Sequence, residues 1–147
     1  MGRIRICKSY TFEAAHRLTG HDGPCRNTHG HSYQLEVELR GEPRKESGHP
    51  RDGMIMDFSD MDRIVEDRIL TIFDHSLILQ RAEAETAVTA PRDEKILYFD
   101  FQPTCENLVL DFVHRLEKGL PGEAELVRLK LRETGRSWAE WNRTDNS

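Results

Sequence analysis

The sequence predicts an α+β fold, an antiparallel sheet with two helices packed on one face. Three observations predict it. Apolar and polar residues alternate over 4–16, 33–40 and 125–134, the period of half-buried strands. Two stretches, beginning near Ser59 and Thr104, carry apolar residues at helical spacing. The elements follow one another in an order close to ββααββ, with strands at both ends of the chain. A chain of 147 residues is long enough to bury a core of its own, and it reads as one domain over 1–147.

Each element has its own justification. Ile4, Ile6, Tyr10, Phe12, Ala14 and His16 share one parity, and Lys8 interrupts it, so the first strand is expected to carry a bulge near Lys8. "TGHDGP" is turn chemistry. Tyr33, Leu35, Val37 and Leu39 then face one way, with Gln34, Glu36, Glu38 and Arg40 facing the other. "GEPRKESGHPRDG" is a polar loop, and "MIMDF" reads as a short strand after it. Ser59 is a candidate N-cap for a helix with Met61, Ile64, Val65, Ile69 and Ile72 inward. Residues 82–94 read as a loop or an extra turn of helix, and "KILYFDF" as a short strand. The second helix starts at Thr104, turns Leu108, Val109, Phe112 and Leu116 inward and stops at Gly119, with Pro121 beyond. In "ELVRLKLRET", Val127, Leu129, Leu131 and Glu133 share a face, and "SWAEW" is a final short strand.

Composition narrows the function. Hydrophobic residues make up 37% and charged residues 32%, with a formal net charge of −5, so no basic footprint for nucleic acid is present. No stretch has the length of a membrane span, and "MGRIRICKSY" lacks the apolar run of a signal peptide; a cytoplasmic protein is expected. Three cysteines, Cys7, Cys25 and Cys105, are too few and too odd for a disulfide framework. Cys7 and Cys105 read as small packing residues.

The chemistry concentrates in "GPCRNTHGHSY". His29 and His31 are two apart and continue the parity of Tyr33, so both imidazoles turn to the buried side, where a lone neutral histidine needs a hydrogen-bond partner. His16 ends the first strand on the face of Phe12 and Ala14, and a hairpin brings it beside them. An isolated His-x-His is more often a satisfied core or turn pair. Three histidines of shared parity on adjacent strands instead form a tetrahedral site with one position open, the catalytic zinc pattern. Cys25 either completes a structural site or faces a bound substrate.

"FEAAHRL", "CRNTHGHSY", "GMIMDF", "FDHSLIL", "PTCENL" and "LRET", in this order over about residues 10–134, resemble the 6-pyruvoyltetrahydropterin synthase / 6-carboxytetrahydropterin synthase family. The resemblance implies the tunnelling fold (T-fold), in which subunits join their sheets into an oligomeric barrel. It further implies a homohexamer of two trimers, with active sites between subunits. It implies Zn2+ on His16, His29 and His31, a catalytic cysteine at Cys25 and a catalytic pair at Asp74 and His75. It also implies a pterin-anchoring carboxylate at Glu133, with Thr104 and Glu106 in the segment lining that pocket. The implied substrate is a pterin triphosphate, 7,8-dihydroneopterin triphosphate.

Among the family's reactions, the tight C-R-N-T-H-G-H spacing resembles the branch that forms 6-carboxy-5,6,7,8-tetrahydropterin with release of triphosphate and acetaldehyde, on the path to queuosine. The alternatives are elimination of triphosphate to 6-pyruvoyltetrahydropterin, or, from another class, a non-catalytic pterin-binding protein on the same fold. Retention of Cys25, Asp74, His75 and Glu133 together favours an enzyme. The sequence departs from the family pattern after Asp74-His75, where it reads Ser76-Leu77-Ile78-Leu79, and 82–94 lengthens the path to "PTCENL".

Overall fold

A computed structural model describes residues 2–81 and 94–147. Strands β1 (Ile4–His16) and β2 (His29–Gly41) pair antiparallel over their full length, from Ile4 opposite Gly41 to His16 opposite His29. Helix α1 runs through Phe58–Val65, a π turn Glu66–Leu70 and a last turn Thr71–Phe73. Strand β3 (Ser76–Gln80), strand β4 (Ile96–Phe99), helix α2 (Cys105–Glu117), strand β5 (Glu125–Thr134) and strand β6 (Ser137–Asn142) follow. The sheet order is β4-β3-β1-β2-β5-β6. The three long pairings, β1–β2, β2–β5 and β5–β6, are antiparallel as expected, and β3 and β4 add two parallel pairings beyond β1.

Both helices cover one face. Phe12 of β1 stacks on Tyr33 of β2 (centroids 4.9 Å apart) and meets Phe112 of α2 at 5.9 Å and Phe73 of α1 at 6.5 Å. Such aromatic pairs contribute about 0.5–1.5 kcal/mol each beyond the area they bury. Leu35, Val37, Leu39, Leu129 and Leu131 complete the strand side of this core. It is the rigid floor on which the histidine end of β1 and β2 rests.

Several expectations are corrected. No bulge lies at Lys8, because the β1–β2 register is one-to-one. Lys8 keeps its parity, and its ammonium reaches Asp62 of α1 at 2.7 Å, where the Tyr10 hydroxyl also donates. Irregularities sit instead in β5, against β6 at Arg132/Thr134 and against β2 at Glu38/Leu39. There Leu126 joins the core, while Val127 lines a surface pocket with Arg5 and Arg40. "MIMDF" is not a strand: Ile55 and Met56 are buried plugs, and Asp57, not Ser59, caps α1 by accepting the Ser59 N–H. Gly41 is required beside this plug, since a Cβ there would stand 2.6 Å from the Glu123 carbonyl.

In α1 the fully buried residues are Met61, Val65, Ile69 and Phe73, spaced by four. An ideal helix would rotate such a row by about 40° per step, and the π turn takes up that excess. Strand β3 was not expected at all. "SLILQ" is a nearly continuous apolar run, as parallel strands are, and has no alternation to reveal it. Of the expected loop or helical turn at 82–94, residues 82–93 lie outside the described residues.

Candidate metal centre and active site

The one-to-one register places His16 directly opposite His29, with His31 one pleat further along β2. Their side chains converge on the helix-covered side. His16 Nε2 lies 2.9 Å from His29 Nε2 and 3.2 Å from His31 Nε2. Backbone carbonyls fix two of the tautomers. His16 Nδ1–H donates to the Pro103 carbonyl (2.7 Å) and His29 Nδ1–H to the Asn27 carbonyl (2.8 Å). The Nε2 lone pairs are thereby turned toward each other, a repulsive arrangement unless a cation lies between them. Burial, aided by His29 and His31, pushes the His16 pKa below its ordinary value despite the Pro103 carbonyl and Glu133, which favours the neutral, ligating form. Burial lowers His31 as well, with His29 acting the same way. A tetrahedral ion bound by nitrogen at about 2.0–2.1 Å holds its ligands about 3.3 Å apart, close to the spacings here. Among the described residues, this trio is a group that could hold a metal ion.

Glu133, at the end of β5, sends a carboxylate oxygen to 3.9 Å from His16 Nε2. Burial pushes its carboxyl pKa up, His16 opposes this, and the negative charge of Glu106 pushes it further up. Glu106 itself is exposed in the first turn of α2. Thr104 caps that helix, its hydroxyl accepting the Asn107 N–H, and it follows the residue whose carbonyl holds His16.

Asp74 and His75 form a pair where α1 passes into β3. Asp74 Oδ2 lies 3.0 Å from His75 Nδ1, and Asp74 Oδ1 accepts the Glu13 N–H at 2.9 Å. That backbone bond holds the Asp74 carboxyl below its ordinary pKa, with His75 and Lys95 acting the same way against a burial effect. His75 is exposed and has φ of +59°. It lines a cleft of about 380 Å³ with Glu13, Gly30, Ser32 and His31, so His75 and one member of the histidine trio, His31, border a common space. Cys25 stands in a single 3-10 turn, Pro24–Arg26, half-buried; its carbonyl accepts the Leu18 N–H. Its thiol makes no hydrogen bond among the described residues. Cys105 is buried, its thiol donating to the Leu131 carbonyl, and burial pushes its pKa up to about 12. Cys7, Cys25 and Cys105 are all free thiols.

One chain therefore unites His16, His29, His31 and Glu133, brings Glu106 near, and sets His75 on a cleft that His31 also lines. It does not place Cys25 or Thr104 in contact with that group. The orienting carbonyls of Asn27 and Pro103 were beyond sequence reasoning, since every residue carries a carbonyl. Glu13 had a signal, its place inside "FEAAH".

A mixed sheet with two helices on one face and a three-histidine centre at a strand end defines the class, an α+β protein of T-fold type with a metal-binding arrangement. The comparisons give the family. The model of the 6-pyruvoyl tetrahydropterin synthase family matches residues 5–144, and the chain belongs to that family. It is 33% identical over 142 residues, 94% of this chain and 98% of the relative, to the 6-carboxy-5,6,7,8-tetrahydropterin synthase of Haemophilus influenzae. The fold matches 6-pyruvoyl tetrahydropterin synthase of Caenorhabditis elegans (TM-score 0.71, 23% identity, 97% of this chain and 96% of that one). It also matches that of Plasmodium vivax (TM-score 0.75, 16% identity, 96% and 98%). No described helix is long and apolar enough to cross a membrane.

Proposed function

We propose that this protein is a zinc-dependent lyase that converts 7,8-dihydroneopterin triphosphate and water to 6-carboxy-5,6,7,8-tetrahydropterin, triphosphate and acetaldehyde. The observation that carries it is the convergence of three Nε2 atoms, two of them aimed by carbonyls, in a chain with a 33% identical relative named for that product. His16, His29 and His31 hold the ion. Bound zinc supplies Lewis-acid polarisation of the substrate's side-chain oxygens, which eases removal of a neighbouring proton.

The protein's own groups do the rest. Glu133 accepts hydrogen bonds from the amino and N–H edge of the pterin ring, a bidentate fit for a carboxylate, and so aligns the side chain with the ion. Glu106 and Thr104 line the ring pocket. The Cys25 thiolate accepts a proton from the side-chain carbon. His75, oriented through Nδ1 by Asp74, carries a proton at a second position on the side chain. The active site then lies between subunits of a homohexamer of two trimers, as the family resemblance implies.

The test is mass spectrometry of products formed from 7,8-dihydroneopterin triphosphate by the zinc-loaded protein. Carboxytetrahydropterin with acetaldehyde is expected. Pyruvoyltetrahydropterin would move the assignment to the sister reaction, and absence of turnover would leave a pterin-binding protein on the same fold.

A further inference from the structure

We propose that Lys95 is a positioning residue for His75, its ammonium group locking the peptide that aims the imidazole into the cleft beside His31. The inference rests on the reading of His75 as a catalytic group. His75 is the one non-glycine residue, among those described, with positive φ, a conformation that a side chain with a Cβ keeps only when its surroundings hold it.

Those surroundings are specific. The peptide unit joining Asp74 to His75 is gripped at both ends. Its N–H donates to the Glu13 carbonyl at 2.6 Å, and its C=O accepts from Lys95 Nζ at 2.8 Å. The orientation of that peptide plane sets the φ of His75, so the two bonds together fix where the ring points. The same ammonium donates to the Thr71 carbonyl at 2.7 Å, one of the carbonyls left open where α1 ends. A cation is favoured there by the helix dipole as well. Lys95 thus ties the last turn of α1 to the catalytic peptide with one side chain.

The delivery of Lys95 gives a role to one departure from the family pattern. Ser76-Leu77-Ile78-Leu79 lies in β3, and Lys95 directly precedes β4. The two strands pair in parallel, and just before β4 the Lys95 carbonyl accepts the Leu77 N–H at 2.9 Å. That bond sets the lysine under the end of α1. A side chain with several N–H donors can bridge two carbonyls, so arginine can substitute and methionine cannot.

The experiment compares kcat and KM of the wild type, K95M, K95R and H75A, each loaded with zinc, on 7,8-dihydroneopterin triphosphate. A misaimed catalytic group costs up to about 100-fold in rate. K95M is expected to lose about 10- to 100-fold in kcat with KM within about twofold, and K95R to recover most of it. Should K95M not fold, K95L is read by the same criterion, because it too carries no N–H donor. Wild-type kcat in K95M or K95L, with H75A disabled, overturns the role of Lys95 alone. A fully active H75A overturns the catalytic reading of His75 and the positioning role with it. A fall in K95M that K95R does not restore also overturns it, since bridging by N–H donors would not then be what matters.

Discussion

His29 shows how much a single side chain carries at this site. Its Nε2 is 2.9 Å from that of His16, and its Nδ1–H is spent on the Asn27 carbonyl, so the ring presents a lone pair and little else. Substitution by alanine removes one ligand of three. Even loss of a group that merely orients a ligand lowers metal affinity about 10- to 100-fold, and loss of the ligand itself exceeds that. The H29A protein, dialysed against buffer and analysed for metal, is therefore expected to hold far less metal than the wild type. Full occupancy in H29A would remove the metal site as drawn. His29 and His31 were legible from parity alone, because alternation along a strand fixes which residues share a face. The hydrogen bond that selects the tautomer was not, because its acceptor is backbone.

At the scale of elements, the open face of the sheet is held by charge. Arg128 of β5 donates to Glu38 of β2 at 2.9 Å and to Glu140 of β6 at 3.1 Å, and Arg5 of β1 donates to the other oxygen of Glu38 at 2.9 Å. Four strands are thus joined through one carboxylate and one guanidinium. Burial by itself would raise the Glu38 pKa, but hydrogen bonds from Arg128 and Arg5 outweigh it and hold the carboxyl below its ordinary 4.5. The sign follows from linkage. A depressed folded-state pKa contributes stability that is present above 4.5 and lost as pH falls through the folded value. Glu38→Gln is expected to lower stability at pH 7, with the gap to the wild type closing on acidification below 4.5, as measured by urea unfolding across that range. A gap independent of pH would assign Glu38 a packing role only. Sequence periodicity placed β1, β2, α2, β5 and β6 because each has a half-buried pattern. It missed β3, whose nearly continuous apolar run shows no alternation, and it misplaced the cap of α1, because Asp57 and Ser59 are both competent caps and the fold chooses between them.

For the whole molecule, β4 and β6 lie at the two edges of the sheet, with backbone groups available for pairing. The groups proposed as catalytic are also divided within one chain. His75 borders the cleft that His31 lines, whereas the Cys25 thiol has no hydrogen-bond partner among the described residues. Joining of sheets across subunits satisfies the edges and can bring a second chain's groups to the cleft. Light scattering of the purified protein is expected to give six subunits. A monomer that turns over substrate would show that one chain holds the complete site.

The amino-acid sequence by itself determined the faces of β1 and β2, the inward stripe of α2, the convergence of His16, His29 and His31, and membership of a pterin-synthase family through six ordered motifs. These are properties of residue type and spacing, which local geometry converts directly into position. Only the tertiary structure decided that β3 and β4 join the sheet in parallel, that the bulge lies against Glu38 and not at Lys8, and that Lys95 grips the Asp74–His75 peptide. Each of these is a partnership between distant backbone groups, and a carbonyl or an amide is the same at nearly every position, so no residue identity announces where its partner will be.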